Sequence, residues 1–276
     1  MPISGSTVVR RQLGRRLRRL REAAGKTERD VETAKLMSRT KLWRIESGKV
    51  PIKVADARTL CWLYGADAPT TDALAALALG TIEQGWWEDY GDAVPDWFGL
   101  YIGLEAAASE IRIYDPELVH GLLQTADYAK AVYRAVRPDD SDDVIQRQVE
   151  LRLGRQRTLS MRTPPPRLTT VLGSAVLARP VGGDQVMAEQ TRRLRELAKL
   201  DHIDIRVLPW EAGAHAAMHT GAFIIFDFDD PDDPPVVYLE MHTGARYLEK
   251  PDELDQYRKI FDLIYEKSVP IEEHAP

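Results

Sequence analysis

The sequence predicts two folds in one chain. The first is an all-α N-terminal domain of five helices. The second is a longer C-terminal region, helical at first and then α+β with a small, mostly antiparallel sheet. Three observations lead there. Apolar residues recur at spacings of three and four from Val8 to about residue 80, the period of helices with one buried face. After Thr163-Pro164-Pro165-Pro166 the period shortens toward two, and runs of β-forming residues alternate with one or two amphipathic helices. Charge divides at the same place as the fold. Residues 1–80 hold 16 Lys and Arg against 8 Asp and Glu, the remainder 21 against 35, within a net charge of −6. A basic head thus precedes an acidic body.

The first helix is read over Val8–Ala24, where Leu13, Leu17, Leu20 and Ala24 make one apolar stripe. Its other faces carry Arg10, Arg11, Arg15, Arg16, Arg18, Arg19 and Arg21, a surface suited to phosphates, Arg15 and Arg18 foremost, or simply a solvated face. Gly25 ends this helix. Thr27, with Asp30 three residues on, starts the next by a reciprocal cap. Ser38 caps a third helix, and Gly48 supplies the left-handed residue that stops it. Pro51 marks a turn before a fourth helix over Val54–Tyr64, and Pro69-Thr70-Thr71-Asp72 opens a fifth.

The third helix carries the functional signal. With successive residues about 100° apart, Leu42 and Ile45 point to a core while Thr40 and Arg44 point away. Arg39 and Lys41 flank that outer face, and Trp43 and Ser47 lie along its side. Arg offers a fork to guanine O6 and N7, and Thr a hydroxyl or a methyl, which is what reading base edges in a major groove requires. A solvated basic helix in a small bundle would show the same periodicity.

The run from Ser38 to Lys49 resembles the recognition helix of the XRE-type helix-turn-helix family, which includes the lambdoid phage repressors. The resemblance implies that Arg39, Thr40 and Arg44 read base edges and that Ser38 and Lys49 lie near phosphates of double-stranded operator DNA. It also places Glu46 in the core of the motif. Three residues depart from the pattern. Leu36 stands where the turn usually has glycine, Glu32 where a small alanine packs, and Glu28 replaces a common glutamine with an anion that would repel phosphate.

Residues 81–98 hold Trp86, Trp87, Tyr90, Trp97 and Phe98 among glycines, aspartates and a proline. The stretch is read as an interdomain clasp, with ligand or base stacking on Trp86, Trp87 and Trp97 as the alternative. Residues 99–276 form a regulatory or partner-binding region. Its helical part, 99–162, falls into pieces at roughly 99–110, 123–136 and 141–161. In the last, Arg147, Arg152, Arg155 and Arg157 form either an anion site or a solvated, salt-bridged face. The α+β part, 167–268, reads as strand Arg167–Leu172, helix Asp184–Leu200, strands Ile203–Leu208, Gly221–Phe228 and Pro235–Met241, and helix Pro251–Lys267. The acidic Asp229–Pro234 connection suggests a hairpin.

Little in the chain suggests catalysis. It has no Gly-x-Ser-x-Gly elbow and no phosphate-cradling glycine loop. Its single cysteine, Cys61, lies in an apolar helical pattern, as a buried small hydrophobe does. His215 and His219, with His242, lack the carboxylate or cysteine that would complete a zinc set, so no metal or cofactor is expected. His215 remains a candidate for partner or ligand contact. No run reaches the roughly 18 apolar residues of a membrane span, and the expectation is a cytoplasmic, nucleoid-associated protein that is not an enzyme.

Gly85-Trp86-Trp87, Tyr114 with Pro116, Gly121-Leu122-Leu123-Gln124-Thr125, Arg179-Pro180-Val181-Gly182-Gly183, Gly213-Ala214-His215 and Tyr247-Leu248-Glu249-Lys250-Pro251 together resemble the actinobacterial WhiJ-like regulators, whose members are described as antitoxin-like. That resemblance covers residues 8–268. It implies a transcription regulator that responds to a small protein encoded by an adjacent gene, or to a ligand. A homodimer would present two recognition helices to one operator. The alternative it leaves open is an antitoxin-type module that binds and masks its partner, with DNA binding as autoregulation.

Overall fold

The computed structural model describes residues 6–80, 98–229 and 233–274. Two compact units emerge from it. Unit 1 comprises Met1–Asp89, Gly99–Ala107 and Asp230–Asp233, and unit 2 comprises Tyr90–Phe98, Ala108–Asp229 and Pro234–Pro276. The aromatic stretch read as a clasp, with Trp86, Trp87 and Trp97, lies outside the described residues.

Unit 1 has the five expected helices: α1 (Ser6–Ala23), α2 (Glu28–Thr33), α3 (Arg39–Glu46), α4 (Val54–Leu63) and α5 (Ala68–Gly80). Leu13 and Leu17 of α1 meet Val31, Leu42, Ile45, Leu60, Cys61 and Leu74 in one core. The caps form as the sequence predicts. The Thr27 N–H donates to Asp30 Oδ2 at 2.7 Å, and the Thr27 hydroxyl oxygen accepts from the Asp30 N–H at 3.3 Å. Ser38 Oγ accepts from the Lys41 N–H at 3.3 Å. Beyond α3, Gly48 has φ +69°, and the Lys49 N–H returns to the Arg44 carbonyl at 2.8 Å.

The turn between α2 and α3 is built differently from the resemblance. Its left-handed residue is Lys35, at φ +58°, not residue 36. Because α2 ends at Thr33, its carbonyls are closed one position early. The Lys35 N–H donates to the Glu32 carbonyl at 2.9 Å and the Leu36 N–H to the Val31 carbonyl at 3.3 Å. Leu36 is then free to pack, half-buried, on the core. Glu32 sits exposed, and its carboxylate accepts from the Arg39 N–H at 3.4 Å, an acid at the start of α3.

Two features set α3 against α1. Arg21 donates through Nε to Glu46 Oε1 and through Nη2 to Glu46 Oε2, both at 2.7 Å, with side chains only 8% and 5% exposed. Arg21 Nη1 also donates to the Lys26 carbonyl at 3.1 Å. At the same crossing Gly14 lets the backbones close, since a Cβ there would stand 2.5 Å from the Ile45 carbonyl oxygen.

Unit 2 is a seven-stranded sheet in the order β6-β5-β4-β1-β2-β3-β7 among the described residues, flanked by helices. The strands are β1 (Glu110–Asp115), β2 (Arg167–Gly173), β3 (Ile203–Leu208), β4 (Phe223–Asp227), β5 (Val236–Met241), β6 (Gly244–Leu248) and β7 (Val269–Pro270). Strands β1, β2 and β3 pair in parallel, and the remaining pairings are antiparallel. Helix α6 (Phe98–Ala107), which precedes β1 in the chain, belongs to unit 1 from Gly99 on, and α7 (Ala126–Val136), α8 (Asp142–Arg155) and α9 (Thr158–Met161) lie between β1 and β2. Helices α10 (Ser174–Ala178) and α11 (Asp184–Leu197) lie between β2 and β3, and α12 (Pro251–Lys267) precedes β7. Phe223, Ile225 and Val237 of the sheet pack on Leu254, Phe261 and Ile264 of α12.

The expected strands at 167–172, 203–208, 221–228 and 235–241 all form, and β4 and β5 make the expected antiparallel pair. One strand was hidden. The segment read as the end of a helix at 110 opens β1, which lies in the sheet between β2 and β4. Its Ile111 and Ile113 are fully buried, and it pairs with Leu168 and Phe226 across large sequence gaps that local periodicity does not register.

Replacing Glu46 with Ala leaves the Arg21 cation buried and unpaired, which should cost about 3–5 kcal/mol. Urea denaturation of the full chain checks this. Lys35→Gly relieves a Cβ in a left-handed turn and should raise stability by about 1 kcal/mol. An unchanged or lowered urea midpoint for that variant would mean the lysine side chain compensates for its backbone.

Candidate nucleic-acid interface

Helix α3 is amphipathic because Leu42 and Ile45 are drawn into the core of unit 1 while Glu46 is held by Arg21. What faces outward follows from those anchors. Ser38, Arg39, Thr40, Lys41, Arg44 and Lys49 are all exposed, as the sequence predicts. Trp43, 49% exposed, lies beside them, and the Lys49 ammonium sits 4.2 Å over its ring.

The cations of unit 1 differ in what already holds them. Among the described residues, neither the Arg39 nor the Arg44 guanidinium has a hydrogen-bond or ion-pair partner. Lys41 is tied at 2.9 Å to Asp56 of α4, an acid the sequence reading passed over because nothing local links the two. Arg18 pairs with Glu22 one turn on, at 2.8 Å, and both side chains are more than half exposed. An exposed pair of this kind is worth about 0.2–1 kcal/mol and exchanges readily for a phosphate.

The rest of the α1 arginine surface is not uniform. Arg11 and Arg21 are buried, so the seven arginines do not form one open face. Arg15, only 16% exposed, donates to the buried Asp233 carboxylate at 2.7 Å, and Arg11 approaches the same oxygen at 3.2 Å. Asp233 has no signal in the local pattern, since it lies far along the chain in the acidic connection. At the end of β4, ahead of that connection, Asp227 is held by Arg112 and Arg258, so its carboxylate is already compensated by side chains of the fold.

His215 lies in unit 2, edge-on to Tyr114 with ring centroids 6.2 Å apart. Its Nδ1 is buried without a hydrogen-bond partner, and burial followed by the Lys267 charge holds its pKa below the usual histidine value. His219 and His242 are exposed, and no group of three or more metal-ligating side chains occurs among the described residues. No helix of the structure is long and apolar enough to cross a membrane.

A family model described as a helix-turn-helix domain matches residues 12–74. A second, described as a domain of unknown function (DUF5753), matches residues 98–274. Searches of curated proteins and of solved structures find no match. The first match runs from within α1 to within α5 and includes the whole of α3, so unit 1 carries a helix-turn-helix DNA-binding domain.

Replacing Arg44 with Ala should weaken operator binding by about 1–3 kcal/mol and relax preference at one base position. Binding to a library of randomised sites separates this from a phosphate contact, for which the loss would be equal on every sequence.

Proposed function

The chain belongs to the DUF5753 family and carries a helix-turn-helix head, and from that premise we propose a sequence-specific transcriptional regulator that binds its operator as a homodimer. The observation that carries the proposal is the pair of exposed guanidinium groups on α3, Arg39 and Arg44, which among the described residues give up no protein partner on meeting DNA. Thr40 lies between them on the outer face, and Lys41 joins by exchanging Asp56 for DNA. Ser38, Lys49 and Arg18 are the phosphate contacts in this reading, while Arg15 keeps its place with Asp233. Exposed arginine forks read guanine in the major groove, and neighbouring cations fix the register.

Unit 2 is the regulatory part in this reading, a binding rather than a catalytic domain. The resemblance to WhiJ-like, antitoxin-like regulators supports a small protein from an adjacent gene as its partner, with His215 as a contact in unit 2; Trp86, Trp87 and Trp97, the other expected contacts, lie outside the described residues. A nucleoid-associated protein in the cytoplasm fits this role.

Genome-wide occupancy tests the whole. Wild type should give discrete sites near promoters, each with two half-sites about 34 Å apart along the duplex. The double variant Arg39→Ala, Arg44→Ala should lose them while keeping its fold by circular dichroism. Retention of the same sites by that variant would remove α3 as the reader, and single unpaired half-sites would remove the dimer.

A further inference from the structure

One outward residue of α3 has no task in the proposed function. Of the large apolar side chains of this helix, Leu42 and Ile45 are buried, whereas Trp43 is 49% exposed. A single exposed indole is ordinary on a protein surface, so exposure alone implies nothing. Its position does. Residues three and four apart on a helix are neighbours, and those that precede Trp43 at these spacings are Thr40 and Arg39, both exposed. At 3.6 residues per turn Trp43 stands about 40° round the axis from Arg39 and about 60° from Thr40. The indole therefore falls within the arc that those two residues define, one turn nearer the C-terminal end of α3.

The end of the helix holds the ring in place. Ser47 Oγ donates to the Trp43 carbonyl at 2.7 Å, so its hydroxyl proton is used within the helix. Gly48, at φ +69°, then turns the chain back, and the Lys49 N–H donates to the Arg44 carbonyl at 2.8 Å. That turn brings the Lys49 ammonium 4.2 Å over the Trp43 ring. A cation attracted to the ring face restrains an exposed indole that otherwise exchanges among rotamers. Trp43 thus offers a partly ordered apolar surface beside the outward cations, and less freedom is lost when something packs on it.

Among the base edges of a major groove, the C5-methyl of thymine is the apolar feature. We propose that Trp43 is a specificity-determining residue that packs on the C5-methyl of one thymine in the operator half-site, beside the bases met by Arg39 and Thr40. The inference rests on α3 lying in the major groove, as proposed above, and adds an apolar reader to the polar ones. Arginine forks read guanine O6 and N7 and are indifferent to that methyl. Removing the methyl therefore probes Trp43 without disturbing what the arginines read.

The full chain is titrated with the tightest duplex selected from randomised sites, and with copies in which single thymines are replaced by deoxyuridine. Deoxyuridine pairs as thymine does and lacks only the methyl. At one position of the half-site, wild type should bind the deoxyuridine copy about fourfold more weakly, the effect of one buried methyl-sized group. Trp43→Ala should bind the two duplexes equally there, whereas Trp43→Phe, which keeps an apolar ring, should retain part of the difference. The scan with wild type does not depend on whether a variant folds. The absence of any deoxyuridine-sensitive position, or a sensitivity unchanged in Trp43→Ala, overturns the contact and leaves the arginine readers standing. A loss in Trp43→Ala that is equal on every duplex marks a sugar-phosphate contact, and DNA binding unchanged by that substitution assigns the indole to a protein surface. Either result overturns it as well. A selection that yields no preferred duplex removes sequence-specific binding itself, and this contact with it.

Discussion

The bidentate pair of Arg21 and Glu46 is the constraint on which the presentation of α3 depends. A helix of eight residues has too few internal bonds to hold its own orientation, so its direction must come from its anchors. Leu42 and Ile45 supply burial, but apolar contacts tolerate rotation and sliding. Two parallel N–H to carboxylate bonds at 2.7 Å do not. A buried ion pair adds little net stability over an apolar pair of the same shape. Its value here is geometric, because it fixes the C-terminal end of α3 to α1 and thereby fixes which residues face outward. Gly14 and Gly48 complete the arrangement by letting α1 and the end of α3 approach to backbone distance.

Much of this was legible in the sequence. The caps at Thr27 and Ser38, the stop at Gly48, and the inward turn of Leu42 and Ile45 all follow from local chemistry, and local chemistry decided them. The inward arginine was legible too. Arg21 continues the row of Leu13 and Leu17 at a spacing of four, so it lies on the apolar stripe where a cation needs a buried acid. The pairings of Arg15 with Asp233 and Lys41 with Asp56 were not legible, since each joins residues that the chain brings together only on folding.

The sheet divides along the same line. Strands β2, β3, β4 and β5 and helix α12 are bounded by turns and have clear periods, and they appear where the period says. Strand β1 is six residues long, follows a helix directly, and earns its burial from β2 and β4 rather than from its own pattern. Strands β6 and β7 are short and at the sheet's edges, where pairing rather than composition makes the strand. Short strands whose partners are distant in sequence are thus what periodicity loses.

Arginine occurs here in two energetic conditions, and each implies a different use. Paired and buried, as Arg21 is, it is part of the architecture, and removing its partner would strand a charge. Exposed and without a partner among the described residues, as Arg39 and Arg44 are, it is hydrated, and its attraction to a polyanion is long-ranged and weakened by salt. The same side chain is therefore a tie within the fold where an acid is buried beside it and a hydrated cation where solvent meets it, and the difference lies in whether the chain folds an acid against it.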